Sequence, residues 1–512
     1  MFIRRKPNKS GTFSVQVLMK QGRSNVVVRS FGSSKDNEEL KRMEAEASAF
    51  ISTYGGQMEL DFTEKTAERE IAFLTSSVVD VRQDAVRLIA DPIYDGIGFN
   101  RIQDPILRSL VVSRLCRPLS KLATSDYLRR YFREDIHYKK IYRYMDKLYD
   151  TQRELVQQIS VEHTMKVLGG RIGLVFYDVT TLYFETAKED DLRTPGFSKD
   201  GKTAESQVVL GLLVSDGGYP LSYSLFNGKQ FEGRTMLPII DDFVQRFSLK
   251  DFIVVADAGL LLRKNISLLK SAGYKFILGG RIKKEAESVQ EWVLSLPKNP
   301  FQLHEKRING DERVIISYSE SRAAKDSRNR EKGIQRLRNS YSSGKIKKAN
   351  IIQRGYNKFL VIKNDVLVGI DEKKIAKDAQ WDGLKSYVTN TDLDPQEVIT
   401  RYHGLWVVER AFRISKSTIE ARPIFHFTER RIEAHVCICF ITLKLYKEIE
   451  RMLRILKIDL SVDRVIDIAK TISTLTFRLS NGKIVSQTML TTPEQELLAP
   501  LLPQNSTGCP IV

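Results

Sequence analysis

The chain has 512 residues, more than one ordinary hydrophobic core holds, so we expect two to four domains. Hydrophobic residues make up 42% and charged residues 28%, a balance that excludes a largely disordered chain and fits a soluble globular one. The net charge is +18, from 81 Lys and Arg against 63 Asp and Glu. Such an excess favours a polyanion as partner, nucleic acid first, although an ordinary basic enzyme has the same balance.

Cysteine usage and hydropathy indicate where the protein works. Four cysteines are too few and too scattered for a disulfide framework, and Cys437 and Cys439 fit the core of an apolar helix better than a zinc site. The basic first residues have no apolar signal core behind them. The most apolar stretch, VCICFITL, is far shorter than the ~20 residues that span a bilayer. We therefore expect a cytoplasmic protein with no membrane partner.

The first third of the chain predicts two regions. Residues 1–62 alternate basic and apolar side chains around glycine turns and then become a charged helix, which predicts a small β/α module. Residues 63–165 have helical spacing with Lys and Arg on the polar faces, which predicts a helical DNA-binding region. Its Tyr- and Arg-rich part, 117–148, suits a helix-turn-helix-like module, and a solvated basic surface explains it equally well.

Residues 166–280 change to strand patterns. Three successive strand-like runs, RIGLVFYDVTTLYFE, SQVVLGLLVS and YPLSYSLFNG, are followed by helix, strand, helix and strand. This element order is typical of an RNase H-like α/β core, which the helical residues 395–450 complete. We therefore predict an RNase H-like mixed sheet between a helical N-terminal region and a helical C-terminal region and tail, residues 451–512.

Residues 281–394 interrupt this core with short strands and a basic helix. Between residues 322 and 358 there are 12 Lys or Arg and 2 Asp or Glu, a local net charge of 12 − 2 = +10. A solvated loop has the same count, but the strand patterns that follow favour a folded, β-rich insertion domain with a basic face.

Two aspartates interrupt buried strand patterns. Asp178 is in phase with Leu174 and Phe176, and an ionised carboxylate among apolar side chains costs several kcal/mol unless it is paired. Asp257 ends the run DFIVVAD just before a glycine turn, where α/β sheets hold their ligands. Each alone has a structural explanation, but the pair predicts a shared site.

A third acid lies on a predicted helix spanning residues 395–420. Tyr402, Leu405, Glu409 and Lys416 line one face of it, and Glu409 alone would be read as a surface salt bridge. Three carboxylates that converge repel one another, which raises a pKa or requires a cation. Oxygen ligands suit Mg²⁺ or Mn²⁺, and two such ions support phosphodiester displacement. Paired carboxylates also hydrolyse sugars, an alternative that the basic insertion disfavours.

The segments YDVTTLYFE, VVADAGLL and YHGLWVVERAFRISKS resemble, in this order, the three catalytic motifs of DDE-class transposases of bacterial insertion sequences. The resemblance is to the subgroup with a β-rich insertion before the Glu, and it spans roughly residues 160–450. The segments GFSKDGK and RPIFHFTERRIEAHVCICF are also similar to that family.

The resemblance implies a role for each motif residue. Asp178, Asp257 and Glu409 would be catalytic and bind two Mg²⁺ or Mn²⁺ ions, and Tyr402 and Lys416 would hold DNA phosphates. The family carries Arg where this chain has Leu405, and Arg401, Arg410 or Arg413 would have to replace its backbone contacts. Trp406 is expected to be a core residue. The further predicted DNA contacts are Arg410, Arg413, Lys199, Lys202, Arg322, Arg328 and Arg330.

Taken together, these observations predict an insertion-sequence transposase of the bacterial cytoplasm, associated with the nucleoid. It would bind double-stranded inverted-repeat ends as a homodimer in the synaptic complex, cleave them and join them to target DNA in a cut-and-paste reaction. One alternative is a non-catalytic DNA-binding protein derived from a transposase. The other is a related two-metal nuclease without a joining step.

Overall fold

The computed structural model describes residues 1–54, 71–73, 75–186, 188–196, 205–230, 234–247, 249, 251–260, 263–343, 355–363 and 366–503. The chain forms two compact units, Met1–Asp80 with Thr476–Val485, and Val81–Leu475 with Ser486–Val512. Within the described ranges, no helix is both long and apolar enough to cross a membrane.

The first unit is built on an antiparallel meander. Its strands are β1 (Phe2–Pro7), β2 (Phe13–Gln21) and β3 (Ser24–Ser34), and helix α1 (Asn37–Thr53) packs on them. Alternation along β2 buries Val15 and Val17 against Leu40 and Ala47 of α1. Helix α1 begins after Asp36, whose carboxylate accepts a hydrogen bond from the Glu38 amide at 3.0 Å.

The second unit contains the central sheet. Its first strands are β5 (Leu174–Tyr183), β6 (Thr194–Pro195), β7 (Ser206–Ser215), β8 (Pro220–Asn227), β9 (Ile253–Ala256) and β10 (Lys275–Gly279); strand β4 (Val78–Arg82) precedes them outside this sheet. Strands β5, β7 and β8 form an antiparallel meander, and β9 and β10 follow parallel to β5. The resulting order β8-β7-β5-β9-β10 is that of an RNase H-like sheet, so the predicted fold class is confirmed.

The remaining strands of this sheet come from the predicted insertion. They are β11 (His304–Asn309), β12 (Glu312–Tyr318) and β15 (Leu384–Thr389), and β15 pairs antiparallel with β10. Between β12 and β15 lie α10 (Glu320–Ser342), β13 (Leu360–Lys363), β14 (Val366–Ile370) and α11 (Glu372–Ala379). Ile334, Leu337, Phe359 and Leu360 form a small core of their own there. The insertion is therefore partly a continuation of the core sheet and partly a satellite cluster.

Helices cover both faces of the sheet. The face that bears Phe176 and Val255, here called the α13 face, packs against α12 (Pro395–His403), α13 (Trp406–Ser417) and α14 (Glu429–Ile455). The opposite face, here called the α7 face, bears Val175 and Val254 and packs against α7 (Met236–Phe247), α8 (Arg263–Ser271) and α9 (Glu287–Ser295). Each strand thus alternates between two separate hydrophobic cores.

The N-terminal helices of this unit pack around helix α14. They are α2 (Ala85–Ile97), α3 (Pro105–Cys116), α4 (Lys121–Tyr127), α5 (Tyr138–Lys147) and α6 (Arg153–Val167). Because they surround α14, almost all of its side chains from Ile432 to Ile449 are buried, polar ones included.

The structure differs from the sequence prediction near both ends of the helical regions. Strand β4 lies where helix was expected, and β16 (Ser473–Arg478) and β17 (Ile484–Met489) follow α15 (Val462–Ala469) and precede the short helix α16 (Pro493–Glu496). These strands pair in the order β17-β16-β4. Their β-branched residues, such as Val78, Val79 and Val81, favour extended backbone, which helical spacing alone did not reveal.

Candidate active site

Asp178 and Asp257 lie side by side at one place in the sheet. Strands β5 and β9 are parallel, with Tyr177 paired to Ala256, so the next residue of each strand is one of the two aspartates. Neighbouring strands are about 4.8 Å apart. Asp178 shares the phase of Phe176 and Asp257 that of Val255, so both carboxylates belong to the α13 face. Asp178 is half-buried and Asp257 is exposed where β9 ends.

Glu409 approaches the same face from helix α13. It lies in the first turn of that helix, which packs on β5 through Val408, Ala411 and Phe412. Its side chain is exposed, and its charge, with that of Asp257, acts on the same two neighbours, Tyr402 and Lys385. The fold therefore brings all three predicted acids to one face of the sheet.

The helix predicted for residues 395–420 is two helices, α12 and α13, that meet at Gly404. A Cβ on Gly404 would stand 2.5 Å from the Phe176 ring, so only glycine lets this junction approach β5 so closely. Leu405, which follows it, is 8% exposed and belongs to the core. The position where the family carries Arg is thus a packing position in this chain.

Tyr402 connects helix α12 to the second aspartate. Its hydroxyl donates to Asp257 Oδ1 at 3.0 Å, and its ring is buried. Burial, followed by the charge of Asp257, raises the pKa of Tyr402, so the hydroxyl remains a neutral donor. A Cβ on Gly279 would lie 2.4 Å from this hydroxyl and 2.8 Å from the amide nitrogen of Ala258. Gly279 therefore leaves the space in which Tyr402 reaches Asp257.

Lys385 is a cation of the site that the sequence prediction missed. Its Nζ lies 4.5 Å from the centroid of the Tyr402 ring and 5.1 Å from that of Tyr387. Burial first, and then Arg322, lower the pKa of Lys385, while Asp257 and Glu409 oppose that shift. A lysine in phase with a buried tyrosine, in the strand LKSYVT, was the available signal.

Arg281, also missed, holds the turn that follows Asp257. Its Nε donates to the Ala258 carbonyl at 2.6 Å and its Nη2 to that of Gly259 at 2.8 Å. Arg281 also lines a basic cavity of about 320 Å³ together with Arg322 and Lys385. Of its lining, Lys385 is the cation on which the charges of Asp257 and Glu409 act.

The sequence matches the family model of the transposase DDE domain over residues 169–445, more than half of the chain. The chain belongs to the DDE transposase family. The transposase has weak structural similarity to the piggyBac transposase synaptic complex with hairpin DNA, with a TM-score of 0.39, 8% identity and coverage of 78% of this chain and 79% of that one. For the Mos1 transposase paired-end complex with left transposon end, the TM-score is 0.16, the identity 11% and the coverage 47% and 74%. No curated protein gives a match.

The predicted DNA contacts of the transposase are placed in different environments. Arg410 forms an ion pair with Glu450, and Arg330 donates through Nη2 to Asp382 at 2.6 Å, so both guanidinium groups have acidic partners within the chain. Tyr402, also predicted to contact DNA, is buried and donates to Asp257. Arg322, Arg328 and Arg413 are exposed, and Lys416 is half-buried. Lys199 and Lys202 lie outside the described residues.

Trp406 differs from its expectation, because 55% of it is exposed at the start of α13. Its neighbour Leu405 takes the core position instead. Leu405 therefore takes the buried position that was expected for Trp406, and Trp406 lies at the surface near the start of the helix that carries Glu409.

The donor set of the site consists of carboxylate oxygens, which fits a hard divalent cation such as Mg²⁺ or Mn²⁺. His403 is the histidine nearest to Glu409 in the sequence, and burial lowers its pKa. The residues around it do not have the His and Cys spacing of a zinc site. In the part of the chain that the structure describes, no group of three or more His, Cys, Asp or Glu side chains has the arrangement of a metal site.

Proposed function

We propose that this transposase binds the double-stranded inverted-repeat ends of its own insertion sequence, cleaves them with divalent metal ions and transfers the freed 3′-hydroxyl to target DNA. The observation that carries the proposal is the adjacency of Asp178 and Asp257 on one sheet face, with Glu409 in the first turn of α13, the helix that packs on β5. The charge of +18 supports a DNA partner.

In this proposal Asp178, Asp257 and Glu409 would hold two Mg²⁺ or Mn²⁺ ions, which when bound would supply the activation of an attacking oxygen and the stabilisation of a leaving one in phosphodiester displacement. The hydrogen bond from Tyr402 fixes the orientation of the Asp257 carboxylate. Lys385 offers positive charge to a phosphate at the edge of the site.

The partners and setting follow from the same reaction. Pairing two ends requires two active sites, so we propose a homodimer in the synaptic complex, in a bacterial cytoplasm and associated with the nucleoid. Lys416 and the exposed Arg322, Arg328 and Arg413 would contact DNA phosphates, as would Lys199 and Lys202, and Arg330 and Arg410 would do so by exchanging their acidic partners for phosphate.

The decisive experiment incubates the purified protein with labelled inverted-repeat duplex and Mg²⁺. Asp178→Asn, Asp257→Asn and Glu409→Gln should each lower cleavage by roughly a thousandfold or more, because each removes a carboxylate charge that would hold a divalent cation. Glu291→Gln, the same change on an exposed helical Glu of α9, is the matched control and should keep full activity. Unchanged cleavage in all three site variants would refute the assignment.

The products distinguish the alternatives. Joined DNA identifies strand transfer, whereas cleavage without joining identifies a two-metal nuclease. Metal-independent binding of the ends without cleavage identifies a non-catalytic DNA-binding protein, a reading in which the buried Leu405 reflects a lost DNA contact.

A further inference from the structure

A second basic cavity lies away from the carboxylates, under the loop that joins α13 to α14. Its volume is about 220 Å³. The side chains that line it and carry positive charge or an imidazole are Arg114, Lys121, Arg422, His426 and His435. None of these was assigned a function by the sequence motifs, and they come from two distant parts of the chain.

Lys121 is the unusual member of this lining. It is 5% exposed, and its ammonium has no hydrogen-bond or ion-pair partner among the described residues. Burial, followed by the charge of Arg114, lowers the pKa of Lys121 to about 7. Lys121 thus carries its charge on a mostly buried side chain without an acidic partner, and an anion in the cavity would stabilise that charge.

The residues around Lys121 in the cavity add positive charge and do not neutralise the charge of its ammonium. Arg114 is 7% exposed and donates to the carbonyl of Ile419 at 2.7 Å, so its guanidinium is fixed beside the cavity. His435 Nε2 contacts the Ala421 carbonyl at 3.1 Å, and its buried Nδ1 has no partner in the described part of the chain. Glu420 is the carboxylate in the described lining, and it is exposed. The interior is therefore electropositive and has polar atoms without partners.

The loop over the cavity contacts β5, the strand that carries Asp178. The Ile424 amide donates to the Tyr183 carbonyl at 3.1 Å, and the Arg422 guanidinium lies 5.2 Å from the centroid of the Tyr183 ring. Tyr183 is five residues beyond Asp178 on β5, a separation of about 17 Å along an extended strand. Phe425 is 57% exposed at the rim.

We propose that this cavity is a phosphate-binding site, in which Lys121, Arg114 and Arg422 hold a phosphate group under the α13–α14 loop. The group comes either from a strand of bound DNA or from free phosphate, since both present the same anionic oxygens. The site goes beyond the proposed function, because binding there requires neither cleavage nor the three carboxylates.

The first test measures thermal stability and binding of the full chain with inorganic phosphate, against chloride at equal ionic strength. Phosphate should raise the Tm of the wild type, and Lys121→Met should weaken phosphate binding by roughly tenfold, because one charge-assisted hydrogen bond is lost. Arg422→Gln should weaken it too. Lys298→Met, the same substitution at an exposed lysine outside the cavity, should leave it unchanged.

The second test separates the two sources of phosphate by binding to duplex DNA at several salt concentrations. If a DNA phosphate occupies the cavity, Lys121→Met weakens DNA binding and makes the slope of log K against log salt shallower by about 0.9. If free phosphate occupies it, DNA affinity is unchanged while phosphate binding is weakened. Either result supports the site.

Equal phosphate and DNA binding by the wild type, Lys121→Met and Arg422→Gln would overturn the proposal. The same holds if the wild type responds to neither probe. Should Lys121→Met fail to fold, Arg422→Gln carries the same comparison. Phosphate and DNA binding are measured without cleavage, so their outcome does not depend on whether Asp178→Asn abolishes cleavage. Failure of the phosphate site and failure of the proposed catalysis can therefore be distinguished.

Discussion

The two faces of strand β5 differ in what they carry: one is apolar and the other bears a carboxylate. On the α7 face, Val175, Tyr177 and Val179 are buried in an apolar core, and the Tyr177 hydroxyl hydrogen-bonds to Thr235 at 2.7 Å. On the α13 face, Phe176 is followed by the half-buried Asp178. Both faces are packed, but the α7 face is apolar along these three residues, whereas the packing of the α13 face is interrupted at Asp178, where the strand carries charge. A carboxylate can then be held in position without being enclosed by its own neighbours.

The strongest test of this difference is a substitution that disrupts the packing of the α7 face alone. Phe243 of α7 is fully buried there, so Phe243→Ala should destabilise the second unit by about 3–5 kcal/mol through the lost burial and the remaining cavity. DNA cleavage per folded molecule should persist at a temperature where the variant is folded. Thermal unfolding and cleavage rates on the same samples check this. Loss of cleavage with unchanged Tm would show that the faces are not separate.

A second prediction concerns the space beneath Tyr402. Gly279→Ala places a methyl group 2.4 Å from the Tyr402 hydroxyl, so the hydroxyl or β10 has to move. We expect destabilisation of about 1–3 kcal/mol and a clear loss of cleavage. Gly173→Ala is the matched control, because a Cβ there meets nothing within 4 Å and its φ is not positive. Equal behaviour of the two variants in cleavage and Tm would contradict the role of Gly279.

The smallest effect is expected from the Tyr402 hydroxyl alone. Tyr402→Phe keeps the ring and removes the hydrogen bond to Asp257, so cleavage should fall by roughly tenfold with little change in Tm. Tyr94→Phe removes a buried hydroxyl that has no partner in the described residues and should leave cleavage unchanged. The cleavage rate at saturating Mg²⁺ is the measurement. An unchanged rate in Tyr402→Phe would mean that Asp257 is positioned without it.

The sequence predicted local features of the site better than long-range ones. The phase of Asp178 and Asp257 could be read from strand alternation, because the period of two is a property of each strand alone. For Lys385 the phase with Tyr387 marks a polar residue on a buried strand but not its place at the site, because it reaches the site only through the pairing of β15 with β10 across more than a hundred residues. The break at Gly404 was missed because single glycines are tolerated within helices, and here its cause is contact with Phe176.

The same distinction applies to the fold. The order of meander, helix and strand predicted the RNase H-like sheet because consecutive elements are neighbours in it. The continuation of the sheet by β11, β12 and β15 depends on pairing that no local pattern encodes. Strands β16 and β17 were missed for a local reason, because their short alternating runs follow a long helical region.

The pairing of β12 with β15 has a consequence for modularity. Tyr318 stands opposite Leu384, and the Ser319 amide donates to the Gly383 carbonyl at 3.0 Å, so residues 319–383 occupy the position of a hairpin loop. A loop of two to five residues would suffice to connect such strands. Arg322, Arg328 and Arg330 therefore lie in a segment that is inserted at a single point of the sheet, between two strands whose register is set by their own pairing.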